Sequence, residues 1–284
     1  MRLFLLRFLV FAIVLVSIFG FFSKDEQPRV YEGYQLVWSD EFNNNGEPNR
    51  DNWNYETGFV RNLEAQWYQK ENAYCKDGFL IIEAKKEKRL NPNFVAKDHK
   101  NWTKNRDSIS VTSSCLITRG KHSWQYGRFE ICAKIPVEKG MWPAFWTLGV
   151  SGNWPANGEI DIMEYYRGKL LANVAWKSET DKVEWDSHVI PLVDFGKDNW
   201  ANEFHIWRMD WNENEIKLYV DNQLINETII NDKMQLEHLK NHPFRQPHYV
   251  LLNLAVGGNE GGAFEDDSFP SQYIVDYIRV YQKK

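Results

Sequence analysis

Cysteine is scarce: Cys75, Cys115 and Cys132 are the only three in 284 residues. Three is too few for a disulfide framework, and their spacing matches no metal-ligand pattern, so buried free thiols are expected. An excess of positive charge is also missing. Lys and Arg number 34 against 39 Asp and Glu, a net charge of -5, with no large basic patch to hold a phosphate backbone. That excludes nucleic acid as a partner. Long stretches of helical period and internal repeats are absent too, which excludes helix bundles and solenoids. The seven histidines form no zinc pattern. His238, His242 and His248 lie in a polar stretch, and His205 in Phe204-His205-Ile206-Trp207 is expected to make structural hydrogen bonds. Nothing calls for an organic cofactor, a protein partner or an oligomer, so a monomer is expected.

Aromatic residues are abundant, with 13 Trp, 13 Tyr and 17 Phe making up 15% of the chain. A Trp-rich core is one reading. The other is a surface on which flat, polar-rimmed ligands such as sugar rings stack, because indole offers a flat apolar face and one N–H donor. The N-terminus carries Arg2 and Arg7 and then an almost unbroken apolar run over residues 8–22. This has the layout of an export signal. No clean small-x-small cleavage site follows, so residues 1–23 read as a signal peptide or an N-terminal membrane anchor. Residues 24–33 read as a polar linker and residues 34–284 as one catalytic domain. The chain is expected to be exported to the periplasm, cell surface or medium.

Strand patterns dominate that domain. Residues 79–84 are a short apolar run, and 128–135 alternate with Phe129, Ile131, Ala133 and Ile135 on one face. Residues 216–220 alternate and then turn at Asp221-Asn222. Residues 249–256 are nearly all apolar, as expected of a strand covered on both faces. The chain closes on another strand-like stretch at 274–281. Residues 85–107 are charged and aperiodic and read as a surface loop bordering a cleft. Short strands between Gly, Asn, Asp and Pro turns indicate an all-β fold of two packed antiparallel sheets.

One run carries chemistry: Gly158-Glu159-Ile160-Asp161-Ile162-Met163-Glu164. Strict alternation puts Glu159 and Asp161 on one face and Glu164 on the other. One extra residue, a β-bulge near Ile162-Met163, would return Glu164 to the face of its partners. Three carboxylates on one face repel and raise at least one pKa. Such a group is what glycosidic cleavage needs, an acid for the leaving oxygen and a carboxylate for the anomeric carbon. An exposed polar strand face fits the alternation equally well. Tryptophans flank the run in Gly140-Met141-Trp142-Pro143-Ala144-Phe145-Trp146 and in Asn153-Trp154-Pro155, the usual company of carboxylates in a sugar cleft.

At these residues the sequence resembles glycoside hydrolase family 16, in its laminarinase-like branch with the bulged Glu-x-Asp-x-x-Glu signature. The resemblance runs from about Tyr34 to Tyr281. It includes Trp38-Ser39-Asp40-Glu41-Phe42, Trp142-Pro143-Ala144-Phe145-Trp146, the signature itself, Leu252-Asn253-Leu254-Ala255-Val256-Gly257-Gly258 and Val275-Asp276-Tyr277-Ile278-Arg279-Val280-Tyr281. It implies a concanavalin A-like β-jelly-roll sandwich with a concave substrate cleft. The activity implied is endo-acting hydrolysis with retention, on a polysaccharide or glycan. Glu159 would be the nucleophile, Glu164 the general acid/base, and Asp161 the auxiliary group between them. Asn62, Glu64 and Gln66 match the family's substrate-bordering Asn-x-Glu-x-Gln segment. Trp142, Trp146, Trp154 and Asn253 would line the cleft. The resemblance further implies a structural calcium held through Glu41 and Asp276, with no cofactor required for catalysis.

Two departures bear on substrate. Trp176, in Asn173-Val174-Ala175-Trp176, stands where β-1,3-glucanases carry a His in the strand after the signature, and Leu63 stands for a second Asn. The first expectation is β-1,3- or mixed-linked glucan. With Trp176 counted as a cleft residue, the alternative is an endo-β-galactosidase acting on mucin O-glycans, keratan-type chains or algal galactans. A non-catalytic lectin on the same sandwich is the remote third reading.

Overall fold

The computed structural model describes residues 27–196, 199–236 and 242–284. The proposed leader, the first residues of the linker and His238 lie outside them. Among the described residues, no helix is long and apolar enough to cross a membrane.

Two sheets pack face to face as a β-jelly-roll sandwich. One has seven strands in the spatial order Val183–Pro191, Lys169–Lys177, Glu159–Tyr166, Met141–Gly149, His248–Val256, Cys115–Ile117 and Asn54–Tyr55. The other has ten, centred on Gly127–Lys134 and Ser271–Lys283. Pairing is antiparallel except where the short strand Gln66–Tyr68 runs parallel to Ser108–Ser113. Helix is confined, among the described residues, to two four-residue α-helical turns and a few 3-10 turns.

The alternation read from sequence maps onto the interior. Phe129, Ile131, Ala133 and Ile135 are all buried in the main core cluster. They meet Ile160, Ile162 and Met163 from the opposite sheet in that cluster. The strand His248–Val256 is buried at all nine positions, since the core lies under one face and the cleft floor over the other. Asp221 and Asn222 both take positive φ, of 48° and 69°, as a tight two-residue hairpin requires. All three cysteines are free thiols, two of them buried.

One expectation needs correction. Residues 85–107 are not a loop throughout. The strand beginning at Phe79 continues to Leu90 and pairs with Ser108–Ser113. Its second half is polar on both faces, so it carries no apolar period to betray it. The rest of the segment is a loop that supports the cleft edge, with Arg106 donating to the carbonyls of Leu63 and Glu64.

At Glu41, one of the two residues expected to hold calcium, the structure places an arginine. Arg279 grips both oxygens of Glu41, with Nε to Oε1 at 3.0 Å and Nη2 to Oε2 at 2.9 Å. A buried guanidinium supplies the positive charge that a cation held by Glu41 would bring. No cluster of three metal-binding side chains exists among the described residues.

The turn before the carboxylate strand is tightly constrained. Gly158 has φ of +78°, and a Cβ there would lie 2.9 Å from side-chain atoms of Phe244 and Pro243. Gly168, in the next turn, has φ of +74° but open space around it. Gly158→Ala is therefore expected to cost about 2–3 kcal/mol and Gly168→Ala about 1 kcal/mol. Thermal unfolding of the two variants checks the order; equal losses would show that the contacts at Gly158 are not limiting.

Candidate active site

The carboxylate run forms the strand Glu159–Tyr166, third from the edge of the seven-stranded sheet. Its pairing with Lys169–Lys177 sets Asp161 opposite Asn173 but Glu164 opposite Leu171. Its pairing with Met141–Gly149 sets Asp161 opposite Trp146 and Met163 opposite Phe145. One residue is extra, so a bulge sits at Ile162-Met163. Ile160, Ile162 and Met163 turn into the core, and Glu164 returns to the concave face with Glu159 and Asp161. Asp161 is only 2% exposed, so the three acids do not form a solvated polar strand face.

Each acid has fixed donors. Trp142 Nε1 donates to Glu164 Oε1 at 2.9 Å, and Asn173 Nδ2 donates to Glu164 Oε2 at 3.1 Å and Asp161 Oδ2 at 3.3 Å. Glu159 has the Trp154 indole and the Asp161 carboxyl as its polar neighbours. Burial pushes both glutamates up to about 7. Asp161 is raised well above the usual range, by burial first and then by the charges of Glu164 and Glu159. The neighbours of the two glutamates differ. Glu159 is drawn back down by Trp154, by Asp161 and by the charge of Arg61. Glu164 is drawn back down by Trp142, Asn173 and Asp161 and pushed up by the charge of Glu159. Burial outweighs these neighbours at both, which leaves two glutamates that exchange protons near neutral pH.

A second layer holds the floor. Asn253 accepts from Trp146 Nε1 at 2.7 Å and donates to Tyr68 Oη at 3.2 Å. Arg61 lies over the Trp146 ring, 5.1 Å from its centroid, and pairs with Glu56. Trp146 therefore does not offer an open stacking face; it serves as the seat of Arg61. Gln66 donates to Glu64 at 2.6 Å and accepts from the Val256 amide at 2.8 Å, so it ties the border segment to the floor strand. Glu64, 2% exposed, accepts from both Gln66 and Asn62. Asn62 and Leu63 both take φ of 55°, which bends this segment over the cleft. Trp154 is half exposed and free to meet a ligand.

Trp176 is misplaced by the sequence reading. Ala175 pairs with Glu159 and Asn173 with Asp161, so these two share the cleft face. Trp176 points the other way, packs on the core and meets Phe244 edge-on at 6.3 Å. The residue beside Glu159 is the small Ala175, and any reading of substrate from an indole at position 176 falls. The sequence reading gave no role to Asn173 or Arg61. Asn173 was within reach of it: the turn at Arg167-Gly168 and the bulge together fix which residue faces Asp161. Three histidines make hydrogen bonds within the fold. His205 binds Asp221 and the Trp200 carbonyl, His242 the Asn231 carbonyl, and His248 the Pro243 carbonyl and Thr147.

Comparison with known proteins places this geometry. The model of a family described as glycosyl hydrolases family 16 matches residues 59–279. A β-glucanase of Rhodothermus marinus is 34% identical across 97% of this chain and 93% of its own length. The X-ray structure of the laminarinase from Rhodothermus marinus superposes with a TM-score of 0.70 and 35% identity, covering 88% of this chain and 98% of that one. Another solved structure, described with the statement that prominent members of the human gut microbiota express endo-acting O-glycanases to initiate mucin breakdown, superposes with a TM-score of 0.81. It is 31% identical and covers 91% of this chain and 94% of that one.

The raised carboxylates link the site to stability. A group whose folded pKa is raised contributes stability that is fully present below its unfolded value, here near 4.5 and 3.8, and lost as pH rises through the folded value, for the glutamates about 7. Asp161→Asn removes one of the three titrations. It is expected to flatten the fall in melting temperature between about pH 5 and about pH 8. Calorimetry across that range checks it, and parallel slopes for variant and wild type would refute it.

Proposed function

The chain belongs to glycosyl hydrolase family 16, and from that premise we propose an endo-acting, retaining hydrolase of β-1,3- or mixed-linked glucan with Glu159 as nucleophile, Glu164 as general acid and base, and Asp161 as the auxiliary acid. The observation that supports these roles is the bulge at Ile162-Met163, which gathers the three acids on one face. In the first step a Glu159 oxygen bonds to the anomeric carbon while the bond to the leaving oxygen breaks and Glu164 gives that oxygen its proton. In the second, Glu164 takes a proton from water, the water oxygen bonds to the same carbon, and the ester to Glu159 is released. Two inversions leave the configuration retained. Asp161 holds a proton against Glu159 and so steadies its charge before the ester forms and as it is released. An exported chain suits a polymeric substrate, and the apolar leader supplies the route.

Digestion of laminarin and of mixed-linkage glucan, with the products sized, tests the substrate; no oligosaccharides from either would end the glucan reading. Glu159→Gln and Glu164→Gln are each expected to lower kcat by about a thousandfold. With azide and an activated aryl glycoside, Glu164→Ala is expected to yield the β-glycosyl azide, since the glycosyl ester on Glu159 still forms. Trp142→Phe removes an N–H that favours ionised Glu164, so the alkaline limb of kcat/KM should move up by about one pH unit. A limb that stays in place would separate Glu164 from the acid role.

A second reading keeps this chemistry on galactose-containing glycans. The observation favouring it is the higher superposition, 0.81 against 0.70, on the structure described with O-glycanases of mucin breakdown. The curated β-glucanase relative favours glucan. Mucin O-glycans in the same digestion decide between them.

A further inference from the structure

The concave face does not stop at the carboxylates. Antiparallel partners share a face, so the register carries the row of Glu159 across the sheet to Ala175 and on to Trp185 in the edge strand Val183–Pro191. Trp185 thus lies on the cleft side, two strands from the nucleophile, about 10 Å away at the usual strand spacing. In that row only the small Ala175 lies between Glu159 and Trp185. The next row, Asp161, Asn173 and Ser187, is polar, and the row beyond it sets Glu164 opposite Leu171 and Leu171 opposite Val189. The edge strand thus carries two open apolar side chains on this face: Trp185 is 47% and Val189 44% exposed.

We propose that Trp185 is a stacking platform for a sugar beyond the one being cleaved, a subsite reached across Ala175 along the row of Glu159. A pyranose presents an apolar face of C–H groups, and an open indole beside the small Ala175 matches it, with the polar row of Asn173 and Ser187 next to it for the hydroxyl rim. Among the described residues Trp185 belongs to none of the buried clusters, so its indole is not committed to the core. On the other side of the cleft Trp146 is closed off by Arg61, so indole faces open to ligand are those of Trp154 and Trp185. The subsite rests on the glycosidase reading above, and it extends the substrate footprint to the sheet edge.

The test uses the full chain with Trp185→Ala, Trp185→Phe and, as a control on an exposed apolar residue off the sheet, Val193→Ala. On the polysaccharide that the wild type cleaves, Trp185→Ala is expected to raise KM about five- to tenfold with a much smaller fall in kcat. Trp185→Phe should restore most of the affinity, and Val193→Ala should match wild type. A KM for Trp185→Ala within about twofold of wild type, at an unchanged melting temperature, overturns the proposal. Oligosaccharide titration of Glu159→Gln, followed by tryptophan fluorescence, gives a readout independent of turnover. Adding Trp185→Ala should weaken Kd by a similar factor, and an unchanged Kd overturns the subsite. A wild type that ignores glucan and cleaves mucin glycans refutes the glucan reading, while the same rise in KM on mucin glycans supports the subsite.

Discussion

Everything at this site depends on the insertion of one residue into one strand. A regular strand between Glu159 and Glu164 would send the last acid into the core, where Met163 and Ile162 now lie. The bulge exchanges a pair of ladder positions for a change of face, and three acids then share the concave side. Burying three carboxylates together is costly, so the surroundings must be arranged to accept it. Each acid is raised by burial and eased by its own neighbours: Asn173 serves Asp161, Trp142 and Asn173 serve Glu164, and Trp154 and the charge of Arg61 serve Glu159.

That arrangement explains the density of polar contacts on a floor that is otherwise apolar. Trp142 and Asn173 fix the Glu164 carboxylate from two directions. Trp146, Asn253 and Tyr68 form a chain that fixes the neighbouring strands in turn. Gln66 clamps the border segment to the end of the His248–Val256 strand through Val256. Each of these groups satisfies another buried polar group, and a gap anywhere would leave a donor or acceptor unpaired. The tryptophans therefore divide into two kinds. Trp142 and Trp146 spend their N–H groups on the frame, while Trp154 and Trp185 keep open faces.

The sequence made the chemistry legible because its markers are local. Alternation, an apolar surplus of one residue and flanking indoles all lie within a few positions of Glu159. The substrate side was less legible because it depends on pairing between strands. Trp176 was read as a cleft residue, and the error was a single step. With a period of two, one step exchanges the cleft for the core. The partner of Glu41 was hidden for a similar reason. Arg279 is 238 positions away in the chain and becomes visible only when the terminal strands pair. The polar half of the Phe79–Leu90 strand was hidden because it has no buried face to impose a pattern.

These differences separate what the carboxylate strand determines from what its neighbours determine. The bulged strand fixes which bond is attacked and by which oxygen, and its donors leave little freedom there. One strand further out, Asn173 still serves the acids, whereas Ala175 touches the chemistry only by being small. Two strands out, no side chain is bound to the mechanism, and the concave face can change residue without disturbing a proton. Substrate discrimination is therefore expected to be written in the outer strands of the sheet. The physical reason is distance: a group about 10 Å from the nucleophile contributes contact area to binding but little to its ionisation.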